Sequence, residues 1–270
     1  GKTTVFNALT KLRQKVGNYA GVTVEKKVGR IVYSDQREID VLDLPGTYSL
    51  DVRSPDEKVA RDVLLGQMKD TSRPDSVICV VDATNLERNL YLFSQIQDLG
   101  LPVIVFLNMM DEVEEQGKKI DVLKLSAVLH APVIAGVAVH GQGIEELKEL
   151  ISVGVAPVDR RSWRMPEQVE SRIEELMILL WREENVAKSD AFSEAIILLS
   201  KEERLLKEIL QGRNKVIDCV RGIQTDLTEW GINWRSVAIE SSYDWLSKSL
   251  KGVIQEKSGK PEITVTDRID

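Results

Sequence analysis

The sequence predicts an α/β protein, with a doubly wound, mixed but mostly parallel sheet followed by a smaller all-α helical domain. Three observations carry this. Short, continuously apolar runs at 77–81, 103–107 and 133–135 have the character of strands buried on both faces of a parallel sheet. Helical patterns lie around and between them, at 86–99, 121–130 and 144–151, and such alternation winds into a sheet with right-handed crossovers. Past residue 154 the strand signal stops, apolar residues recur only at helical spacing, and all five tryptophans fall there.

The elements follow in order. Gly1-Lys2-Thr3-Thr4 opens a helical run, Val5-Phe6-Asn7-Ala8-Leu9. Two β-rich runs, 28–33 and 38–42, are separated by Ser34-Asp35-Gln36-Arg37 and read as a hairpin. The three buried strands and their helices come next. Gly154, Pro157, Arg160-Arg161 and Pro166 mark a linker and a helix start. Beyond it Val169, Ile173, Leu176, Met177 and Leu180 repeat at helical spacing, and Ile196, Ile197, Leu199, Leu205, Leu206, Ile209 and Leu210 continue the pattern. Four or more helices are expected there, with the tryptophans and apolar stripes as their core. The expected division is 1–155, 160–260 and a short extended tail, 261–270.

Composition excludes several function classes. The 270 residues carry 36 basic and 43 acidic side chains, a net charge of −7 with no basic block, so a non-specific grip on nucleic acid is not expected. Hydrophobic residues at 43% and charged residues at 29% exclude bulk disorder. Cys79 and Cys219 make no disulfide framework, and with only His130 and His140 they assemble no zinc site. No apolar run approaches the length of a membrane span, so the segment reads as soluble.

The chemistry lies at strand and helix ends in the first domain. Gly1-Lys2-Thr3-Thr4 before a helix is the back half of a phosphate loop, G-x-x-x-x-G-K-[ST]. Unpaired N–H groups at the helix start meet phosphate oxygens, Lys2 adds a compact positive charge, and the Thr3 hydroxyl suits Mg²⁺. Four residues alone also occur by chance at a helix start. Asp43-Leu44-Pro45-Gly46 then gives a D-x-x-G arrangement. Asp43 reaches Mg²⁺ through water, and the Gly46 N–H approaches a γ-phosphate with no Cβ in the way, although a plain Pro-Gly turn has the same look. Thr23 lies in a loop between these motifs and completes a candidate Mg²⁺ set of Thr3, Thr23 and Asp43. Asn108-Met109-Met110-Asp111 directly follows an apolar strand. A carboxylate there accepts from both guanine N1–H and the 2-amino group. Adenine lacks both donors and would leave the buried carboxylate unpaired, at a cost of about 1–3 kcal/mol. Taken alone, Asp111 reads equally as a helix cap. Val137-Ala138-Val139, after the last strand, offers a backbone N–H to guanine O6.

Each signal is modest, but their order is informative. Gly1–Thr4, Thr23, Asp43–Gly46, Asn108–Asp111 and Ala138 together resemble the five-motif series of P-loop GTPases of the translation-factor type. The connecting text, RQKVGNYAGVTVE at 13–25, DLPGTYSL at 43–50 and VDATNLERNLYL at 81–92, resembles the N-terminal cytosolic region of the bacterial ferrous-iron transporter family FeoB. The resemblance covers roughly 1–153 closely. The helical domain matches in position and size, and TVTDRID at 264–270 is similar to the family's lead-in to its membrane region.

That resemblance implies a P-loop GTPase fold with GTP and GDP as substrate and product and Mg²⁺ as cofactor. It implies that Gly1, Lys2, Thr3, Thr4, Asp43 and Gly46 contact phosphate and that Asn108, Met109, Asp111, Ala138 and Val139 hold the base. It further implies that the helical domain stabilises bound GDP and links the first domain to the membrane part. The partners it implies are the chain's own transmembrane iron-permease domain, small accessory proteins of the uptake system and a second copy of the chain, at the cytoplasmic face of the bacterial inner membrane. Some members bind an activating K⁺ through an Asn in the front half of the loop, ahead of Gly1, so K⁺ is not derivable from these residues. Met109 stands where many GTPases carry Lys and supplies the apolar contact without the charge. Ala138 and Val139 replace the commoner Ser-Ala pair, which leaves that contact to the backbone.

Thr47 follows the D-x-x-G motif where faster GTPases place a water-orienting Gln. Slow intrinsic hydrolysis is therefore expected, with Lys2, Thr23 and Gly46 as the catalytic set and loops 15–25 and 47–57 as the switches. Slow turnover suits a gate. Two other readings share part of the pattern: a soluble GTPase of ribosome or tRNA biology, and a nucleotide-binding regulatory module with negligible hydrolysis.

Overall fold

The fold begins with a helix whose inner face is set by Val5, Phe6 and Leu9. A computed structural model describes residues 1–11, 14–50, 54–158 and 161–256. Helix α1 (Lys2–Thr10) buries those residues and stops at Lys11, which turns left-handed. Strands β1 (Gln14–Asn18), β2 (Glu25–Val32) and β3 (Glu38–Asp43) form an antiparallel meander in that order. Asn18 faces Glu25, and Lys27 faces Asp43. The expected hairpin is β2–β3, somewhat longer than its apolar text. All of β1 but Gln14 falls inside the expected first switch loop. All five of its residues are exposed, so it has no alternation by which it could have been found.

Helix α2 (Pro55–Leu64) starts with a capping box, Ser54 with Glu57, and a proline in its first turn. It begins within the expected second switch loop. Next come β4 (Val77–Asp82), α3 (Leu86–Asp98), β5 (Val103–Asn108), α4 (Met110–Glu115), β6 (Lys118–Ile120), α5 (Val122–Leu129), β7 (Val133–Ala135) and α6 (Ile144–Val153). β4, β5 and β7 form a parallel sheet in that order, with Asp82 opposite Asn108 and Leu107 opposite Ala135. Every residue of β5 is buried, as its unbroken apolar text requires. α5 is capped by the Asp121 side chain and ended by a left-handed His130, which fixes the element predicted at 121–130.

The helical part comprises α7 (Glu167–Glu183), α8 (Ala191–Leu199), α9 (Glu203–Leu210), α10 (Asn214–Glu229) and α11 (Val237–Ser249), then β8 (Ile254–Glu256). Val169, Ile173, Leu176 and Leu180 on α7 are fully buried against Leu198, Leu206, Val220 and Ile223. At about 1.5–3 kcal/mol per buried aliphatic side chain, this stripe holds the bundle together. Trp163 is core, but Trp181 and Trp230 are 44% and 42% exposed, contrary to the expected role of every tryptophan. Trp181 lies one residue past Leu180, about 100° around the helix, and sits instead near the charged ends of Lys188 and Arg182. Leu205 and Ile209 are likewise nearly half exposed.

The chain end returns to the first core. Leu246, Leu250 and Val253 pack with Leu90, Phe93 and Leu125, and β8 pairs antiparallel with β6, Ile120 facing Ile254. Residues 160 and 257–270, with the expected lead-in at 261–270, lie outside the described residues. Among the described residues no helix is long and apolar enough to cross a membrane.

Candidate nucleotide site

The site forms where the start of α1 meets the ends of β3 and β5. Lys2, at the first position of α1, reaches over to β3. Its Nζ donates to Asp43 Oδ1 and, at 2.6 Å, to the Leu44 carbonyl oxygen. The Asp43 side chain is only 9% exposed, so this ion pair is sheltered at one end. Thr3 is exposed at the helix start and Thr4 is half-buried. Gly46 is exposed two residues past Leu44. Neighbouring Thr47 is turned inward on its own loop, where its hydroxyl donates to the Ser49 carbonyl and accepts the Ser49 N–H at 3.2 Å.

The base side is built on β5. Asn108 ends that strand, is 6% exposed, and its Oδ1 accepts the Ala138 N–H at 2.9 Å. The bond holds the short 3₁₀ turn Ala138–His140 against the sheet. Gly136 brings the same loop closer still. Its N–H donates to the Leu107 carbonyl at 2.9 Å, and a Cβ there would lie 2.4 Å from the Gln142 carbonyl oxygen and 2.6 Å from Phe106 Cζ. Met109 is left-handed (φ 67°) and swings the chain into α4, which puts half-buried Asp111 in the first turn. Among the described residues the Asp111 side chain makes no hydrogen bond or ion pair, so its carboxylate is available to a ligand. Val139 is 71% exposed, and any contact it makes in the site falls to its backbone.

The two halves meet at Gly1, where a Cβ would stand 3.8 Å from Asn108 Nδ2. Lys2, Asp43, Asn108 and Ala138 are thus assembled around one helix start. Thr23 is not brought to them. It sits in the exposed tip between β1 and β2, a loop closed by the Tyr19 N–H donating to the Val24 carbonyl at 3.0 Å. Beneath this tip Tyr19 is buried, with a hydroxyl that finds no partner among the described residues. Burial, helped by the Asp43 and Asp70 carboxylates, pushes its pKa up to about 12. Nothing in the spacing of the text signalled Tyr19, or that Leu44 lends its carbonyl to Lys2.

The donor set suits Mg²⁺. The Lys2 ammonium already stands as a cation on a sheltered carboxylate and a carbonyl oxygen, beside the exposed Thr3 hydroxyl. Among the described residues no group of three or more His, Cys, Asp or Glu side chains is placed to hold a metal ion. A metal here would therefore be held by one carboxylate, hydroxyls, phosphate oxygens and water, the usual habit of Mg²⁺.

Strand ends carrying these two clusters, on a parallel sheet flanked by helices, make this a P-loop G domain of the GTPase class joined to a helical module. Comparison with known proteins narrows the class. Residues 1–151 match the family described as ferrous iron transport protein B, and the chain belongs to that family. Over 154 residues it is 47% identical to the Fe(2+) transport protein A/Fe(2+) transporter FeoB fusion protein of Porphyromonas gingivalis, a stretch covering 57% of this chain and 18% of that protein. The chain thus spans under a fifth of that relative. An S. thermophilus NFeoB mutant bound to GDP is 36% identical with a TM-score of 0.78, covering 93% of this chain and 94% of that one. The cytosolic domain of the T. maritima FeoB iron transporter in its GMPPNP form is 30% identical with a TM-score of 0.74, covering 94% and 95%.

Proposed function

We propose that this chain binds GTP and GDP with Mg²⁺, hydrolyses GTP slowly, and gates or drives ferrous-iron uptake through a membrane domain of the same protein, from the cytoplasmic face of the bacterial inner membrane. One observation carries the reading: the start of α1 converges with the ends of β3 and β5, so that Lys2 meets Asp43 while Gly1 meets Asn108. This convergence supports phosphate at the helix start and the base at the neighbouring strand end. The GDP and GMPPNP held by the structural relatives support it.

The chain's own residues then divide the work. Lys2 leaves Asp43 for the β- and γ-phosphates, and the N–H groups of Gly1, Thr3 and Thr4 cradle the phosphate oxygens. Thr3 and Asp43, with Thr23 from the first switch, would hold Mg²⁺, which would supply neutralising charge there. The Gly46 N–H meets the γ-phosphate. Asp111 accepts from guanine N1–H and its 2-amino group, with Met109 and the backbone of Ala138 and Val139 closing on the base. The Thr47 hydroxyl is engaged with Ser49, which leaves that position without a side chain to orient water and supports slow turnover. The P. gingivalis relative, by its name, carries a transport protein A part in the same chain. That supports a small accessory protein as a partner here.

Steady-state GTP hydrolysis tests the enzymatic part, on protein carrying a complete phosphate loop. Turnover well under about one per second is expected, in the range of unassisted GTPases. Many turnovers per second with no partner would contradict the reading. In vesicles holding the whole natural protein, ferrous-iron uptake indifferent to GTP would contradict gating.

A further inference from the structure

The segment that follows Gly46 is held down by one face of α3. Arg88, Tyr91 and Gln95 stand at i, i+3 and i+7 on that helix and so share a side of it. The Arg88 guanidinium lies 4.1 Å from the centroid of the Tyr48 ring. Gln95 Oε1 accepts the Leu50 N–H at 2.9 Å, and its Nε2 donates to the Tyr91 hydroxyl at 3.1 Å. A primary amide has one acceptor end and one donor end, so these two bonds fix its orientation. Turning it over would face donor to donor at Leu50.

The opposite end of this contact is α11. The Tyr91 ring stacks on Tyr243 with centroids 4.8 Å apart and planes 17° from parallel. One turn along, the buried hydroxyls of Ser94 and Ser242 are hydrogen-bonded at 3.0 Å. From there α11 runs into β8 and its pairing with β6. Helix α3 is therefore clamped between the segment after the D-x-x-G motif and the last helix, with Gln95 touching the first and Tyr91 the second.

We propose that Gln95 is a positioning residue for the second switch and that Gln95, Tyr91 and Tyr243 couple this switch to α11. The proposal rests on the nucleotide reading above and adds to it a named route from the γ-phosphate contact to the end of the chain. When residues 47–50 shift, Gln95 loses the Leu50 N–H and its amide is freed. The Tyr91 hydroxyl then loses the Gln95 donor, one of the contacts that hold its ring against Tyr243. Motion of α11 acts back on residues 47–50 by the same contacts, because coupling between sites is reciprocal.

Two measurements test it. In nucleotide-free protein, hydrogen exchange at the Leu50 amide should quicken in Gln95→Leu and stay near the parent rate in Gln95→Glu, which keeps an acceptor oxygen. Unchanged exchange in Gln95→Leu overturns the latch. In protein carrying a complete phosphate loop, Gln95→Leu and Tyr243→Leu should each change the GDP release rate by about 5-fold or more, the scale of ordinary allosteric coupling. The double variant should show no further change. Effects that multiply overturn the coupling, because two independent packing defects would behave that way. A parent protein that binds no GDP overturns the nucleotide reading and the coupling with it. That result is told apart from a failed latch because Leu50 exchange needs no nucleotide.

Discussion

Replacing Asn108 by Ala removes the bond that ties the base loop to the sheet. Asn108 and Ala138 are both buried, so the Ala138 N–H, which donates at 2.9 Å to Asn108 Oδ1, has no water to turn to once the carboxamide is gone. A buried donor left unpaired costs about 1–3 kcal/mol. For a chain of this size that corresponds to a fall in thermal midpoint of roughly 2–5 °C. The small cavity left at the end of β5 acts in the same direction. Thermal unfolding without nucleotide reads this cost separately from ligand binding. A GDP titration on protein with a complete phosphate loop then reads the functional cost, an affinity lowered about 10-fold or more as the 136–140 loop loses its anchor, equal to about 1.4 kcal/mol. An unchanged midpoint together with an unchanged GDP affinity would refute the argument.

Other expectations follow from single contacts. Gly136→Ala should destabilise by about 1–3 kcal/mol in denaturant unfolding, since its Cβ meets the Gln142 carbonyl and fully buried Phe106, neither free to retreat; a neutral result would mean the loop is looser than described. Tyr19→Phe should be neutral or stabilising by up to about 1 kcal/mol, because it deletes a buried hydroxyl that finds no partner among the described residues; a clear loss of stability would show that the hydroxyl has a partner. The buried Asp98 carboxyl has its pKa pushed up to about 7 by desolvation, with Glu170 adding to the rise and the Arg161 charge and the Trp163 N–H (3.0 Å) opposing it. The folded state then keeps a proton that the unfolded chain gives up near pH 4, so stability falls progressively as pH rises from about 4 to about 7 and levels off above that. Asp98→Asn should accordingly be more stable than the parent at pH 8, with the advantage shrinking below about pH 7 and gone by about pH 4. A difference in midpoint that does not vary with pH would contradict this.

Much of the architecture was legible because its parallel strands carry unbroken apolar text, most fully buried in β5. The runs at 77–81, 103–107 and 133–135 need no partner to be recognised, and Asp121 and His130 announce the two ends of α5. β1, β6 and β8 were not legible. They are short, and β1 and β8 are wholly exposed, so pairing between distant segments, and no local periodicity, makes them strands. The return of α11 to the first core was hidden for a related reason: Leu246, Leu250 and Val253 look like any helical stripe, and only the tertiary structure shows which core they join. Within the site, motif spacing placed Lys2, Asp43, Asn108 and Ala138 at the right strand and helix ends. It gave no sign that the Ala138 N–H is taken by Asn108, nor that Thr23 sits at a hairpin tip. The α3 face of Arg88, Tyr91 and Gln95 lay inside text that carried the family resemblance, yet its contacts with residues 48–50 join side chains some forty positions apart.

The central claim is that Asp111 and the elements around Asn108 make this a guanine-nucleotide site. The most direct test is calorimetric titration of GDP, and separately of a matched adenine nucleotide, into protein carrying a complete phosphate loop, with Mg²⁺ present. The predicted result is binding heat with GDP and none with the adenine nucleotide, since adenine offers no donors to the Asp111 carboxylate. Equal binding of both would remove Asp111 as the specificity determinant, and binding of neither would leave a G-domain fold without its ligand.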